Sequence, residues 1–401
     1  MRKTSRIVIL GASFGGLTAA HQLRRVLPSR HREITVVARD DHFVFIPSLP
    51  WVALGQRTME QISFPLKRRL ASRGLGFVHG SASHIDADKQ RVHVGEAALE
   101  YDFLVIATGH RSANEAVPGL GPFVGPGHSL MSPPETEEAR KAWTKFLDDP
   151  GPVVVGCAAG ASCLGPAYEF AFEIDHALKK RKMRNRVPIT FVTPEPYLGH
   201  FGVGGMGGAR QFLEGEFERR DIKYHTSVAV SKITDSSVEL AGGRVFESRY
   251  SLIIPPLAGV NAICDSPGLG NPKGFVPVDE SYRHKEFDNV YAVGVAVAYP
   301  PAEETPVPVN FPKTGHMTVQ MAKAAARNIA VDLQGGERVT RPPFVHCIMD
   351  MGDTAARMQA DPVRPPRNHV GMSVGRRWLW AKRAYEPYFL WKMKSGSTWL
   401  P

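Results

Sequence analysis

Cysteine is scarce, four residues in 401. That excludes a disulfide-stapled scaffold, so any importance these side chains carry is as reactive thiols. No stretch reaches the ~18 consecutive apolar residues that a membrane-spanning helix requires, because the longest runs are broken by Gly, Pro or charge. Acidic residues are outnumbered, 39 Asp plus Glu against 49 Lys plus Arg, for a net charge of +10. The excess favours an anionic partner, whether nucleic acid, an acidic membrane surface or an anionic substrate, and does not choose among them. No low-complexity tract and no metal-ligand cluster stands out. What remains is ordinary globular composition, 43% hydrophobic and 22% charged, which excludes wholesale disorder. The length fits two or three domains at roughly 150 residues each.

Only a few residues precede the apolar run Arg6-Ile7-Val8-Ile9-Leu10, so no signal peptide is expected and the chain is expected to begin at its first strand. That run, the turn GASFGG, the helical LTAAHQLRRVL and the strand EITVVAR read as a βαβ unit. A second strand–glycine–helix unit runs from GPVVVG (151–156) through AYEFAFEIDHALKKR to VPITFVT. Such alternation predicts parallel sheets covered on both faces. The Pro- and Gly-rich stretch 113–135 reads as a linker. The fold class is therefore α/β, with two Rossmann-like nucleotide-binding domains and a C-terminal segment of different composition.

Gly11-Ala12-Ser13-Phe14-Gly15-Gly16 fits GxGxxG with Ser13 at the second glycine. The pattern supplies a tight turn, close approach of a pyrophosphate to the backbone, and a helix N-terminus aimed at it. A ribose-binding residue should follow the second strand, which points to Arg39 or Asp40. The strand YDFLVIATG, ending in Thr108 and Gly109, resembles the second signature of flavoproteins with two dinucleotide folds, where FAD occupies the first fold. Their late signature has a counterpart at NVYAVGV around Gly294, although the usual acid after the glycine is Val295 here.

The second glycine turn carries two thiols, Cys157 and Cys163. Cys163 is expected where a helix begins, a position that stabilises thiolate and should lower its pKa. From these residues onward the chain resembles the sulfide:quinone oxidoreductases, over essentially its whole length. GASCLGPAYEFAF, TPEPYLGHFG, TPVPVNFPKTGHM, HCIMDMGD and AYEPYFLWKMKSG carry the likeness. The resemblance implies that Cys163 and Cys347 form a redox pair on the sulfide side of FAD. It further implies a persulfide on Cys163 and a thiolate on Cys347, with sulfur leaving as polysulfide. A third family cysteine aligns with Met131, which implies non-covalent FAD. His200 and Glu169 are implied to manage protons near the pair. Lys313 and the following helix are implied to face the flavin and stabilise its reduced anion. The corresponding domains are 1–112 with 270–343 for FAD, 113–269 for the thiol-bearing nucleotide fold, and 344–401 for quinone and membrane.

Between Val374 and Pro401 lie Trp378, Trp380, Tyr385, Tyr388, Phe389, Trp391 and Trp399, interleaved with Lys and Arg. Basic residues with aromatics also suit nucleic acid. A lipid-phase quinone, of ubiquinone or menaquinone type, favours an amphipathic segment lying in the bilayer surface, so a monotopic membrane protein without a nucleic-acid partner is expected. The resemblance also implies a homodimer or homotrimer. Three alternatives stay open: a type II NADH:quinone oxidoreductase, kept alive by Glu195 as a possible ribose ligand; the flavin subunit of a flavocytochrome sulfide dehydrogenase; and a non-catalytic flavin-fold redox partner.

Overall fold

In the computed structural model, residues 4–398 are described; Trp399 lies outside them. The apolar run at the start forms the strand Ser5–Leu10, at the centre of a five-stranded parallel sheet. Its neighbours are Arg32–Ala38 on one side and Phe103–Ile106 on the other, with Gly76–His79 and Val290–Ala292 at the edges. The last of these strands comes from far along the chain, so the first nucleotide fold is assembled from two separate segments. Burial on both faces explains why the inner strands Ser5–Leu10 and Phe103–Ile106 read as near-continuous apolar runs.

A second parallel sheet has the order Ile222–His225, Ile189–Val192, Val153–Cys157, Tyr250–Ile254. The helix Gly165–Lys180 packs on it, with eleven of its sixteen residues buried. The 113–135 stretch differs from a plain linker at its end. Ser132 caps the helix Pro133–Phe146 by accepting from the Glu135 backbone N–H, so the last residues of that stretch are the first turn of a helix. Val345–Asp350, Ala355–Asp361 and His369–Val374 form a third, antiparallel sheet. The C-terminal helix Arg376–Ser395 follows this sheet. Among the described residues no helix is long and apolar enough to cross a membrane.

Candidate functional site

The first glycine turn is shaped by two steric necessities. Gly11 has φ +106°, and a Cβ there would collide with the Ala107 carbonyl; a Cβ on Gly16 would collide with the Gly11 carbonyl. Gly11 N–H donates to the Val37 carbonyl at 2.7 Å, which holds the turn against the second strand. Ser13 is the exposed N-cap of the helix Phe14–Val26, and its side chain makes no capping bond. The helix has no acidic residue in its first turn, which leaves its positive end available to an anion. Beside Gly11, Thr108 Oγ1 is buried without a partner, and Gly109 (φ +73°) has open space where a side chain would stand. Gly15 is tight against Val293 and Thr318, and Gly294 (φ +71°) against Thr318. A buried orphan hydroxyl, a backbone cradle and an unclaimed helix end together fit a dinucleotide pyrophosphate.

Lys313 adjoins this cradle, just before Thr314, which caps the helix Gly315–Gln334. Its ammonium donates to the Val295 carbonyl at 2.9 Å and lies 3.5 Å from the centre of the Phe275 ring. Burial without a carboxylate partner lowers its pKa to about 7. Arg39 and Asp40 are exposed and pair with each other at 3.0 Å. Phe14 turns inward instead of facing the cradle, into a cluster with Phe43, Phe45 and Phe389; its ring stacks on Phe389 at 4.6 Å.

At the second turn Gly160 N–H donates to the Pro308 carbonyl at 2.6 Å, and Asn310 Nδ2 donates back to the Gly160 carbonyl at 2.6 Å. The segment through Pro308–Asn310 is thus fastened onto the loop where a second dinucleotide would lie. Glu195 is fully buried, accepting from Tyr168 Oη (2.6 Å), Thr193 Oγ1 (2.8 Å) and the Phe201 N–H (2.7 Å). Complete burial behind these donors keeps it away from a ribose, which corrects the role sequence reasoning left open for it.

Cys163 lies two residues before the helix Gly165–Lys180, and Cys347 lies on the strand Val345–Asp350 that this helix packs against. Both are partly accessible free thiols. They are close enough that Cys347 disfavours ionisation of Cys163. Burial, Cys347 and Glu169 push the Cys163 thiol up to about 12. Burial and Glu169 push Cys347 up to about 11 against the pull of Lys382. The expectation of a lowered Cys163 pKa is therefore corrected: desolvation by the packed helix and strand outweighs the helix end. Cys157 is fully buried, and Cys264 is exposed.

Glu169 faces this pair. It is bonded to the Lys382 ammonium from the C-terminal helix and accepts from the Asp350 N–H at 3.4 Å. Burial and Asp350 raise its pKa, and Lys382 opposes them. Asp350 in turn accepts from the Trp51 indole N–H at 3.1 Å. Lys382, Asp350 and Trp51 were not anticipated. The signal for Lys382 was its spacing, since Lys382, Glu386, Phe389 and Met393 share one buried helix face. His200 is buried but held elsewhere. Gly202 N–H donates to its Nδ1 at 3.1 Å and its Nε2 is bonded to Glu303, so the structure joins it to Glu303 and not to the thiols.

The aromatic residues of the C-terminal helix divide by face. Phe389 is fully buried on Phe14, and Tyr385 is half-buried with its ring 5.4 Å from Phe389. Trp378 is half-buried between the guanidinium groups of Arg357 and Arg377. Trp380 and Trp391 point outward at 64% and 56% exposure, on the face that carries Arg376 and Arg383, with Tyr388 half-buried beside Trp391.

Two nucleotide folds joined by a thiol site define a flavin-type disulfide oxidoreductase architecture, and the model of the family described as pyridine nucleotide-disulphide oxidoreductase matches residues 5–326. The sulfide-quinone reductase of Aquifex aeolicus is 37% identical over 399 residues, covering 98% of this chain and 91% of that protein. The X-ray structure of the Aquifex aeolicus sulfide:quinone oxidoreductase superposes with a TM-score of 0.94 at 36% identity, over 98% of this chain and 92% of that one. The type II NADH:quinone oxidoreductase of Staphylococcus aureus is 22% identical over 82% of this chain and 83% of its own length. The chain belongs to the sulfide-quinone reductases, within the pyridine nucleotide-disulphide oxidoreductase family.

Proposed function

We propose that the protein oxidises sulfide at Cys163 and Cys347 and passes the electrons through a non-covalently bound FAD to a membrane quinone. The observation that carries this is the convergence of two partly accessible thiols and the buried Glu169–Lys382 pair where the second nucleotide fold meets the third sheet and the C-terminal helix. Gly11, Ser13, Gly15, Gly16, Thr108, Gly109 and Gly294 form the cradle for the dinucleotide, within a domain of residues 1–112 and 270–343. Arg39 stands at the ribose end, and Lys313 supports negative charge near the isoalloxazine. When bound, the flavin supplies two-electron acceptance from sulfur and one- or two-electron donation to quinone.

The protein's own share is sulfur exchange and proton handling. Hydrosulfide attacks a Cys163–Cys347 disulfide, forming one S–S bond and breaking another, which leaves a persulfide on Cys163 and a thiolate on Cys347. Both thiols hold protons tightly when reduced, so closing the pair again needs a base, and Glu169 is in place for that. Lys382 keeps a positive charge beside Glu169 and favours the Cys347 thiolate. The exposed Trp380, Trp391, Arg376 and Arg383 seat the C-terminal helix at a lipid surface, with Tyr385, Tyr388 and Phe389 on the path to quinone.

The test is rapid mixing of the purified holoprotein with sulfide or with NADH. Sulfide should bleach the flavin, and Cys163→Ser and Cys347→Ser should each abolish that bleaching while flavin stays bound. Bleaching by NADH and not by sulfide would overturn the reading. So would either serine variant reacting at the unaltered rate.

A further inference from the structure

The thiols are only partly accessible, and one helix face leads outward from the carboxyl group beside them. Glu169, Glu173 and His176 occupy positions i, i+4 and i+7 of Gly165–Lys180, which stacks them on a single face. Glu173 is the unexplained member. It is 1% exposed, and neither carboxyl oxygen has a close hydrogen-bond partner, because the Trp51 indole N–H that lies towards it is given to Asp350. The groups that face it are Glu169 on its own helix, Asp350 from the third sheet, Lys382 from the C-terminal helix, and the Trp51 indole, whose N–H donates to Asp350; His176 is its i+3 neighbour on the helix surface. Three carboxyl groups therefore surround one cation, and that cation is bonded to Glu169. Desolvation and the two neighbouring carboxyl groups raise Glu173 well above the usual carboxylate range, which favours its protonated form. Burying a carboxyl group without a close partner of its own is costly, and packing alone would be better served by an apolar side chain.

His176 lies at the outer end. It is partly exposed, and the turn at Gly352 packs so closely that a Cβ there would meet the imidazole. Asp350, Asp353, Arg220 and Lys180 face it, and partial burial lowers its pKa below the ordinary value, so the ring is neutral at pH 7.

The geometry points to a proton conduit along this helix face, in which Glu169 takes the proton of a reacting thiol and Glu173 and His176 relay it to solvent. The inference rests on the reading of Cys163 and Cys347 as the redox pair. In the first step a thiol S–H bond breaks and a carboxyl O–H bond forms, giving a thiolate and neutral Glu169. The proton of Glu173 then passes to the His176 imidazole as that of Glu169 replaces it, and His176 releases its extra proton to water. One proton has left, one thiolate remains, and Glu169 is again a carboxylate. Glu173 and His176 act through Glu169, as positioning residues for proton release.

The experiment mixes holoprotein carrying Glu173→Gln or His176→Asn with sulfide across the neutral pH range, with Cys163→Ser alongside. Glu173→Gln should slow bleaching by at least about tenfold, the lower end of what positioned acid–base groups contribute, and flatten its pH profile. Glu173→Asp should restore part of the rate. Difference infrared spectra on adding sulfide should lose a protonated-carboxyl band in Glu173→Gln. His176→Asn should also be slow and be rescued by added imidazole; it carries the test if Glu173→Gln fails to fold. Unaltered rates and pH profiles in the folded variants, with Cys163→Ser inactive, would overturn the conduit alone. Bleaching of Cys163→Ser at the full rate would overturn the thiol reading beneath it.

Discussion

Replacing Lys382 by Met tests the buried cluster most directly. Its ammonium is buried, bonded to Glu169, and lies within the field of Glu173 and Asp350. Methionine keeps most of the stem's packing and removes the charge. Glu169 then has no cation and must either remain an unpaired buried anion or take up a proton. Breaking a buried pair from one side costs about 3–5 kcal/mol. At roughly 2–4 °C per kcal/mol for a domain of this size, the melting temperature should fall by on the order of 10 °C. The loss should depend on pH. A carboxyl group whose folded pKa is raised binds its proton more tightly folded than unfolded, so the stability it allows is present in acid and lost as pH rises through the folded pKa. Without Lys382 the Glu169 pKa rises further, so the deficit should be smallest in acid and grow towards alkaline pH. Thermal melts of the holoprotein from acid to alkaline pH measure this. Adding Glu169→Gln to Lys382→Met removes the stranded charge and should recover most of the lost stability. A single variant that melts within a degree or two of the parent, or a double variant no better than the single, would refute the argument.

Trp380→Ser with Trp391→Ser should weaken sedimentation with anionic liposomes and leave sulfide-dependent bleaching intact, because both indoles point outward. High salt should loosen the parent protein without detaching it fully, since apolar insertion remains. Truncation before Arg376, by contrast, would strip Lys382 and Phe389 from the interior and should give an unstable protein by thermal melt. Acid precipitation should release the flavin into the supernatant, because Met131 offers no thiol for a covalent bond; flavin retained in the pellet would show such a bond.

Much of the frame was legible because its strands are continuous apolar runs next to turns that only glycine permits. RIVIL, VVVG and FLVI became parallel strands, and Gly11 and Gly16 stand where a side chain would meet a carbonyl. The thiol environment was less legible because desolvation is a tertiary quantity. Position at a helix start argued for an acidic Cys163, and only the packing of strand Val345–Asp350 against that helix reverses it. The C-terminal segment misled through composition. Its aromatic and basic content reads as surface, whereas helical phase turns Lys382, Phe389 and Lys392 inward and leaves Trp380 and Trp391 outside. Glu195 had the residue type expected of a ribose ligand, and its three donors come from residues that no spacing rule brings together.

The stacking of Phe389 on Phe14 also bears on how the protein is made. Phe14 is the first residue of the helix after the cofactor turn, and its ring is covered by a residue near the other end of the chain. During synthesis, at roughly 5–20 residues per second, that ring waits on the order of half a minute for its cover. The nascent first nucleotide fold therefore carries an incompletely covered aromatic cluster until the helix Arg376–Ser395 is made. Burial of the residue that follows the cofactor turn is complete only when that helix docks, so packing of the first nucleotide fold is ordered by a segment translated long after it.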